Sequence, residues 1–458
     1  DGWVGDVIPF ELDGRAYLYY LHERRDSPKP GTSWNLVVTD DFVDFEDRGV
    51  ALAHGSLEDE DFNAYTGSVV DDGRGTLHLF FTAQNPTRLG GDGLPLQLVA
   101  HATSVDGAAT WVKHPELTFG APEGYETADW RDPFVFRDDA RGVWRMVLAA
   151  RRLEGPERRR GVVAQLESAD LDSWTPVAPL WDPRRYVTQE CPDVFAWGDW
   201  WYLVYSEFSD SFVTRYRMSR SIDGPWTAPR YDSVDGRAFY ASKTVRLEDR
   251  HFFAGWIATR EGAHDDGAWQ WAGTMSVLEA FQHGDGTLGF GFPRELVASF
   301  SHEVAVELPD TLPLRLDAAT SYSSVVTVAP LPADHYLEAV IDIEPGTAET
   351  GLILRASEDA DEGYVVRLEP LRGRVVFDRW PRRRTGTGQW EISGDVPFVI
   401  ELERACELKP GPHTVQAILD GTTLVVVVDG QTALSSPVYA VSPGHLGFCA
   451  VEGGSTLQ

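Results

Sequence analysis

The chain has 458 residues, enough for two or three ordinary domains, and its 43% hydrophobic content supports a sizeable buried core. Forty basic against 71 acidic residues give a net charge of −31, a surface that repels a phosphate backbone, so nucleic acid is excluded as a partner while neutral ligands such as sugars are permitted. Three widely spaced cysteines, Cys191, Cys406 and Cys449, argue against a disulfide framework or a Cys-based metal site, and no apolar run is long enough to span a membrane.

No signal peptide is visible, which tips an otherwise open location toward the cytoplasm, although the chain starts at Asp1 rather than Met. Helical periodicity is scarce. Short aromatic and aliphatic runs between Gly, Asp and Asn turns predict an all-β protein. One unit recurs at a period on the order of 50 to 70 residues. Asp13-Gly14 leads into Tyr17–Tyr20, Asp72-Gly73 into Leu77–Phe81, and Asp139 to Gly142 into Trp144–Leu148. Gly198-Asp199 leads into Trp201–Tyr205, and Glu248-Asp249 into His251–Trp256. A Ser or Thr, an Asp and an aromatic then close most units: Thr39 to Phe45, Ser104 to Trp111, Ser168 to Trp174 and Ser221 to Trp226. These aromatics are expected to plug the space between sheets. Five units predict a five-bladed β-propeller of four-stranded blades over residues 1–300, with inner strands lining a central channel.

Pro309, Pro313, Pro330 and Pro332 mark a boundary. Beyond it, strands are expected over Tyr336–Ile343, Gly351–Ala356, Tyr364–Glu369, Val396–Leu402, His413–Leu419 and Leu424–Val428, with a hairpin at Asp420-Gly421. This reads as a β-sandwich domain over residues 311–458.

Three carboxylates stand at the heads of inner strands. Asp6 follows Trp3-Val4-Gly5; read alone, it is better explained as a turn cap. Asp132, in Trp130-Arg131-Asp132-Pro133, suits either a grip on two vicinal sugar hydroxyls or a structural Arg–Asp turn, and strict alternation keeps Arg131 and Asp132 from facing the same way. Glu190, in Glu190-Cys191-Pro192-Asp193, suits a general acid, with Asp193 the competing candidate that alternation points elsewhere. A retaining glycosidase needs two such carboxyls about 5–5.5 Å apart, and a propeller channel can supply that separation.

At these residues the chain resembles glycoside hydrolase family 32, the invertase, inulinase and levanase family, over nearly its whole length. Arg131-Asp132-Pro133 is similar to the family's Arg-Asp-Pro motif, and Glu190-Cys191 to its Glu-Cys motif. Tyr65-Thr66-Gly67-Ser68 is similar to its aromatic-Ser-Gly-Ser segment. Trp34, Phe239–Thr244, Gly255-Trp256 and Pro293–Leu296 fit further family segments in order. The resemblance implies Asp6 as nucleophile, Glu190 as acid/base and Asp132 as a transition-state stabiliser gripping sugar hydroxyls. It also implies Arg131 holding Asp132 or a hydroxyl, Ser68 donating to the sugar or a carboxylate, and Trp3, Trp34, Tyr65 and Trp256 as flat walls. No metal or other cofactor is implied. The family's first motif, Trp-Met-Asn-Asp-Pro-Asn, stands here as Trp3-Val4-Gly5-Asp6-Val7-Ile8, and Leu21-His22 follows Tyr19-Tyr20, which somewhat resembles the levan fructotransferase branch.

The expected function is retaining hydrolysis that releases fructose from β-fructofuranosides of the sucrose, fructo-oligosaccharide, inulin or levan type. The expected partner is a small carbohydrate or fructan, with neither nucleic acid nor membrane. Rival readings are a fructosyltransferase forming difructose anhydride or transfer products, a glycosidase for another furanoside such as an arabinofuranoside, and a non-catalytic sugar-binding propeller. An inverting propeller enzyme, with carboxyls about 6.5–9.5 Å apart, is a further rival that the Glu-Cys motif disfavours.

Overall fold

The computed structural model describes residues 2–380, 402–439 and 441–458. Among them, one short α-helix, Arg294–Ser299, and three single-turn 3-10 helices interrupt an otherwise all-strand chain. No helix among the described residues is long and apolar enough to cross a membrane.

Antiparallel neighbours in sequence build the blades of a propeller. Blade I is Trp3–Leu12, Arg15–Glu23, Trp34–Thr39 and Glu46–Leu52. Blade II is Asn63–Asp71, Leu77–Leu89, Pro95–Ser104 and Val112–Lys113. Blade III is Tyr125–Asp138, Val143–Arg152, Gly161–Ser168 and Thr175–Pro176. Blade IV is Glu190–Trp197, Trp200–Glu207 and Val213–Ser219, and blade V contains Phe239–Leu247, Arg250–Arg260 and Trp269–Gln282. The first strands of successive blades contact one another in order, and the last returns to the first, closing a five-membered ring. Blade IV departs from the expected four strands: its outer position holds only the isolated bridges Met218↔Thr227 and Arg215↔Ser233. Pro225 and Pro229 interrupt that segment and remove two ladder donors.

The apolar runs are continuous because both faces of a blade are covered. Tyr17, Tyr19 and Leu21 point into a core shared with blade II, while Ala16 and Leu18, at the alternate positions, point into a core shared with blade V. Blade III repeats this, with Met146 and Leu148 facing blade II and Val147 facing blade IV. The tight turn in blade I needs two residues at positive φ, Asp13 (53°) and Gly14 (79°), which an Asp-Gly pair supplies at low cost. The Ser/Thr–Asp turns are built by side chains capping backbone. Ser168 Oγ accepts from the Leu171 N–H (2.8 Å), and Asp170 Oδ1 from those of Asp172 (3.0 Å) and Ser173 (2.8 Å). Trp111, Trp174 and Trp226 pack between blades as expected. Phe45 does not: it is exposed, and Phe42 fills the place, 4.5 Å from Phe252.

The structure divides into two compact units. The first is Asp1–Ser233, Phe239–Trp256 and Trp271–Leu288; the second is Val234–Ala238, Ile257–Gln270 and Gly289–Gln458. Against the boundary expected near residues 300–311, the second unit draws in two earlier segments. Buried polar contacts within it hold them: Asp235 accepts from the Ser435 N–H (2.9 Å) and hydroxyl (2.7 Å), and Tyr364 Oη donates to Asp265 (2.8 Å). Its sandwich turns on His445–Leu457, which pairs with Glu349–Ala356 at one end, with His335–Ile343 at the other, and with Leu314–Val326 along its length. The hairpin at Asp420-Gly421 forms, with Asp420 opposite Thr423. The strand expected over Val396–Leu402 lies outside the described residues except for Leu402.

Candidate active site

The inner strands break their own regularity at one level of the ring. The first strand shifts register between Val4 and Val7, around Asp6, and that of blade II between Tyr65 and Gly67. Those of blades III and IV shift at Arg131–Phe134 and Glu190–Asp193. Asp132, Cys191 and Ala241, one each in blades III, IV and V, have positive φ (58°, 49° and 51°). Non-glycine residues there cost on the order of 1–3 kcal/mol each, and such bulges re-aim side chains at functional sites.

The result is convergence. Asp6 Oδ2 accepts from Thr66 Oγ1 (2.5 Å) and Cys191 Sγ (3.7 Å), and its Oδ1 accepts from Trp256 Nε1 (3.1 Å). Glu190 lies between two donors, Arg131 Nη2 at 3.0 Å from Oε1 and Tyr240 Oη at 2.6 Å from Oε2. Asp132 Oδ2 accepts from the Cys191 N–H (2.9 Å) and faces Arg131 Nε at 3.8 Å. The Asp132 N–H is fixed in turn by Thr82 Oγ1 (2.8 Å). Arg131 is braced by Asp129, which also meets Arg151 at 3.5 Å. All five blades thus supply polar side chains to one cluster, blade II through Thr66.

The profile of the Glycosyl hydrolases family 32 N-terminal domain matches residues 2–289, well over half of the chain. The chain belongs to glycosyl hydrolase family 32. Sucrose-6-phosphate hydrolase of Escherichia coli is 28% identical over 306 residues, 63% of this chain and 61% of that protein. The levanbiose-producing levanase of Bacillus subtilis (strain 168) is 24% identical over 493 residues, 100% of this chain and 87% of that one. In structure, the β-fructofuranosidase of Aspergillus kawachii superposes with a TM-score of 0.76 at 17% identity, covering 100% of this chain and 91% of that one. Sucrose-6-phosphate hydrolase from Lactobacillus gasseri gives 0.74 at 18% identity, with coverage of 100% and 91%. These likenesses show the fold, a propeller followed by a sandwich.

In this family 32 chain the candidates divide. Asp6, Arg131, Asp132, Glu190 and Trp256 come together. The bulge at Asp132 lets Arg131 and Asp132 turn toward the same pocket, which strict alternation had excluded. Ser68 is not a donor to the cluster: its buried Oγ accepts from the Val135 N–H (3.0 Å), and Thr66, two residues earlier, makes the contact to Asp6. Trp34 is no wall either. It is fully buried between blades I and II, its indole N–H donating to the Tyr65 carbonyl (3.1 Å). Tyr65 is partly buried against the same core, and Trp3 is exposed, with Arg25 over its ring at 4.8 Å. Asp193 is structural, accepting from the Thr244 N–H (2.6 Å) and hydroxyl (2.9 Å). No role is expected from the sequence for Thr66, Tyr240 or Lys243, whose buried ammonium donates to the Gly67 (3.0 Å) and Pro192 (3.3 Å) carbonyls. Among the described residues, no group of His, Cys, Asp and Glu is arranged to hold a metal ion.

Burial sets the protonation states. It raises Asp6 above the usual carboxylate range, an effect that the Glu190 charge adds to and the Thr66, Trp256 and Cys191 hydrogen bonds oppose. Burial also pushes Asp132 up to about 7, with Arg131 opposing and the charges of Glu190 and Asp6 adding. The same desolvation, reinforced by neighbouring carboxylates, keeps the Cys191 thiol and Tyr240 phenol protonated, so both serve as donors.

A raised Asp132 has a sign for stability. The folded chain holds a proton that the unfolded chain releases above about pH 4. That contribution is full below the unfolded value and is lost as pH rises through about 7. Asp132→Asn keeps a neutral group of the same shape. It is expected to stabilise the protein at pH 8 by on the order of 2–4 kcal/mol and to change nothing near pH 4, as read by denaturant titrations at the two values.

Proposed function

We propose that this chain is a retaining glycoside hydrolase that releases fructose from β-fructofuranosides of the sucrose, fructo-oligosaccharide, inulin or levan type. One observation carries the reading. Trp256, which donates to Asp6, and Tyr240, which donates to Glu190, meet edge-on with ring centroids 5.8 Å apart, and the Glu190 charge acts on Asp6, so carboxylates from blades I and IV lie close together while each is held by different donors. Two carboxyls in unlike settings are what two-step displacement requires. The relatives named for sucrose 6-phosphate and for levan act on fructose-containing carbohydrates.

Asp6, aligned by Thr66 and Trp256, attacks the anomeric carbon of the fructosyl unit while Glu190 gives its proton to the glycosidic oxygen. The leaving sugar departs as an alcohol and a fructosyl ester of Asp6 remains. Water then yields a proton to Glu190 and attacks the same carbon, freeing fructose with retained configuration. Asp132 accepts hydrogen bonds from hydroxyls of the fructosyl ring, and Arg131 and Tyr240 fix Glu190.

A panel of sucrose, inulin, levan and nitrophenyl furanosides, followed by mass analysis, tests the reading. Products that add one water to the substrate support it. Products lacking that water mark transfer to a sugar hydroxyl, and turnover of arabinofuranosides alone marks another furanose; either result overturns it.

Thr66→Val removes the hydroxyl that lowers the Asp6 pKa and leaves a side chain of the same shape. The acidic limb of kcat/KM is expected to move to higher pH, because more protonated Asp6 persists there, and kcat at the optimum to fall about tenfold. A pH–rate profile of the variant checks both.

A further inference from the structure

We propose that Trp271 is a specificity-determining residue of this site, the flat wall against which the reacting furanose ring lies. The inference deepens the function proposed above and rests on it. Gly5, next to Asp6, is buried, and a Cβ built there would lie 2.5 Å from Trp271 Cη2 and 2.6 Å from Cζ2. The absence of a side chain at position 5 therefore leaves no hole, because the indole edge fills that volume. The same ring meets Trp256 edge-on, with centroids 6.2 Å apart, and Trp256 is the residue whose N–H holds Asp6. Trp271 thus touches the neighbours of the nucleophile both along the chain and across the pocket.

Its exposure sets it apart. Trp256 is 0% exposed, whereas Trp271 keeps 38% of its surface open. An indole left open next to the residue that holds Asp6 offers a flat apolar face, and a sugar's C–H face covers such a surface well. The ring is also held in place. Arg25 Nη2 donates to the Trp271 (3.0 Å) and Ala272 (3.3 Å) carbonyls, and Lys29 Nζ sits 5.4 Å from the ring centroid while pairing with Glu23 at 2.7 Å. Arg25 also covers Trp3, so the strap that carries these two cations fixes both exposed indoles on this side of the site. The wall offers apolar area in place of a hydrogen-bonding side chain at position 5, so it selects by ring shape.

The test is inhibition by free fructose together with KM for short and long fructofuranosides in the wild type, Trp271→Ala, Trp271→Phe and Gly5→Ala. Trp271→Ala is expected to raise the fructose inhibition constant about tenfold and to raise KM by a similar factor whatever the leaving group, with the pH profile unchanged. Trp271→Phe is expected to keep most of the affinity. Gly5→Ala, whose methyl displaces the indole, is expected to mimic Trp271→Ala. An unchanged inhibition constant in a folded Trp271→Ala overturns the proposal, as does a KM change confined to long substrates. Should Trp271→Ala not fold, an unchanged constant in Gly5→Ala overturns it. A wild type that turns over no fructofuranoside contradicts the proposed function instead. Calorimetric binding of fructose to the wild type and Trp271→Phe then judges the wall: equal affinity for another pentose or hexose overturns it, and selective fructose binding supports it.

Discussion

Replacing Asp6 by Asn is expected to reduce turnover of fructofuranosides by at least about four orders of magnitude while leaving the fold and sugar binding intact. The physical case is specific to this pocket. The carboxylate accepts from three donors, one of them the Thr66 hydroxyl, which can rotate and accept in its turn. An amide therefore fits with its oxygen toward Trp256 Nε1 and its nitrogen toward Thr66 Oγ1, and the weak Cys191 thiol donor alone of the three loses its acceptor. What disappears is the negative oxygen that forms the ester. Turnover, melting temperature and calorimetric affinity for a fructoside measure the three parts. Retained turnover, or collapse of the fold, contradicts the role given to Asp6.

Glu190→Gln is expected to cost about 10²- to 10⁴-fold in kcat for sugar leaving groups and far less for nitrophenolate, which departs without a proton. Arg131 can still donate to the amide oxygen, and the Tyr240 hydroxyl can accept from the amide nitrogen, so the pocket stays assembled. A second consequence follows from charge. Glu190 raises the Asp6 pKa, so removing its charge lowers that pKa and moves the acidic limb of the remaining activity to lower pH. Equal losses on both leaving groups, or an acidic limb that moves upward, contradict an acid/base at position 190.

Much of the architecture was readable because local chemistry repeats. Asp13-Gly14 signals a hairpin whose two residues both need positive φ, and the unbroken run Tyr17–Tyr20 signals a strand covered on both faces. Asp6, Asp132 and Glu190 stand out in the sequence as carboxylates expected at the heads of inner strands, with their roles implied by the family resemblance; in the structure Glu190 heads its strand, whereas Asp6 and Asp132 lie within theirs. Alternation, the rule that placed the rest, holds only for regular strands. The bulges around Asp6, Thr66, Asp132 and Cys191 reset it, and so Arg131 and Asp132 turn together while Thr66 takes the role expected of Ser68. Trp34 and Trp256 look alike in sequence, and only their surroundings make one a core residue and the other a donor to Asp6. Trp271 was invisible because its meaning depends on the empty Cβ position of Gly5, a residue at the far end of the propeller chain.

The most direct measurement of the central claim is covalent trapping. Glu190→Gln, mixed with a nitrophenyl fructofuranoside and quenched in acid, is digested and its peptides are weighed. A single fructosyl group on the peptide containing Asp6 is the expected result, because ester formation still proceeds with that leaving group while hydrolysis lacks its base. Nitrophenol release with no adduct, or an adduct on any other carboxylate, contradicts Asp6 and Glu190 as the nucleophile and acid/base of a retaining enzyme.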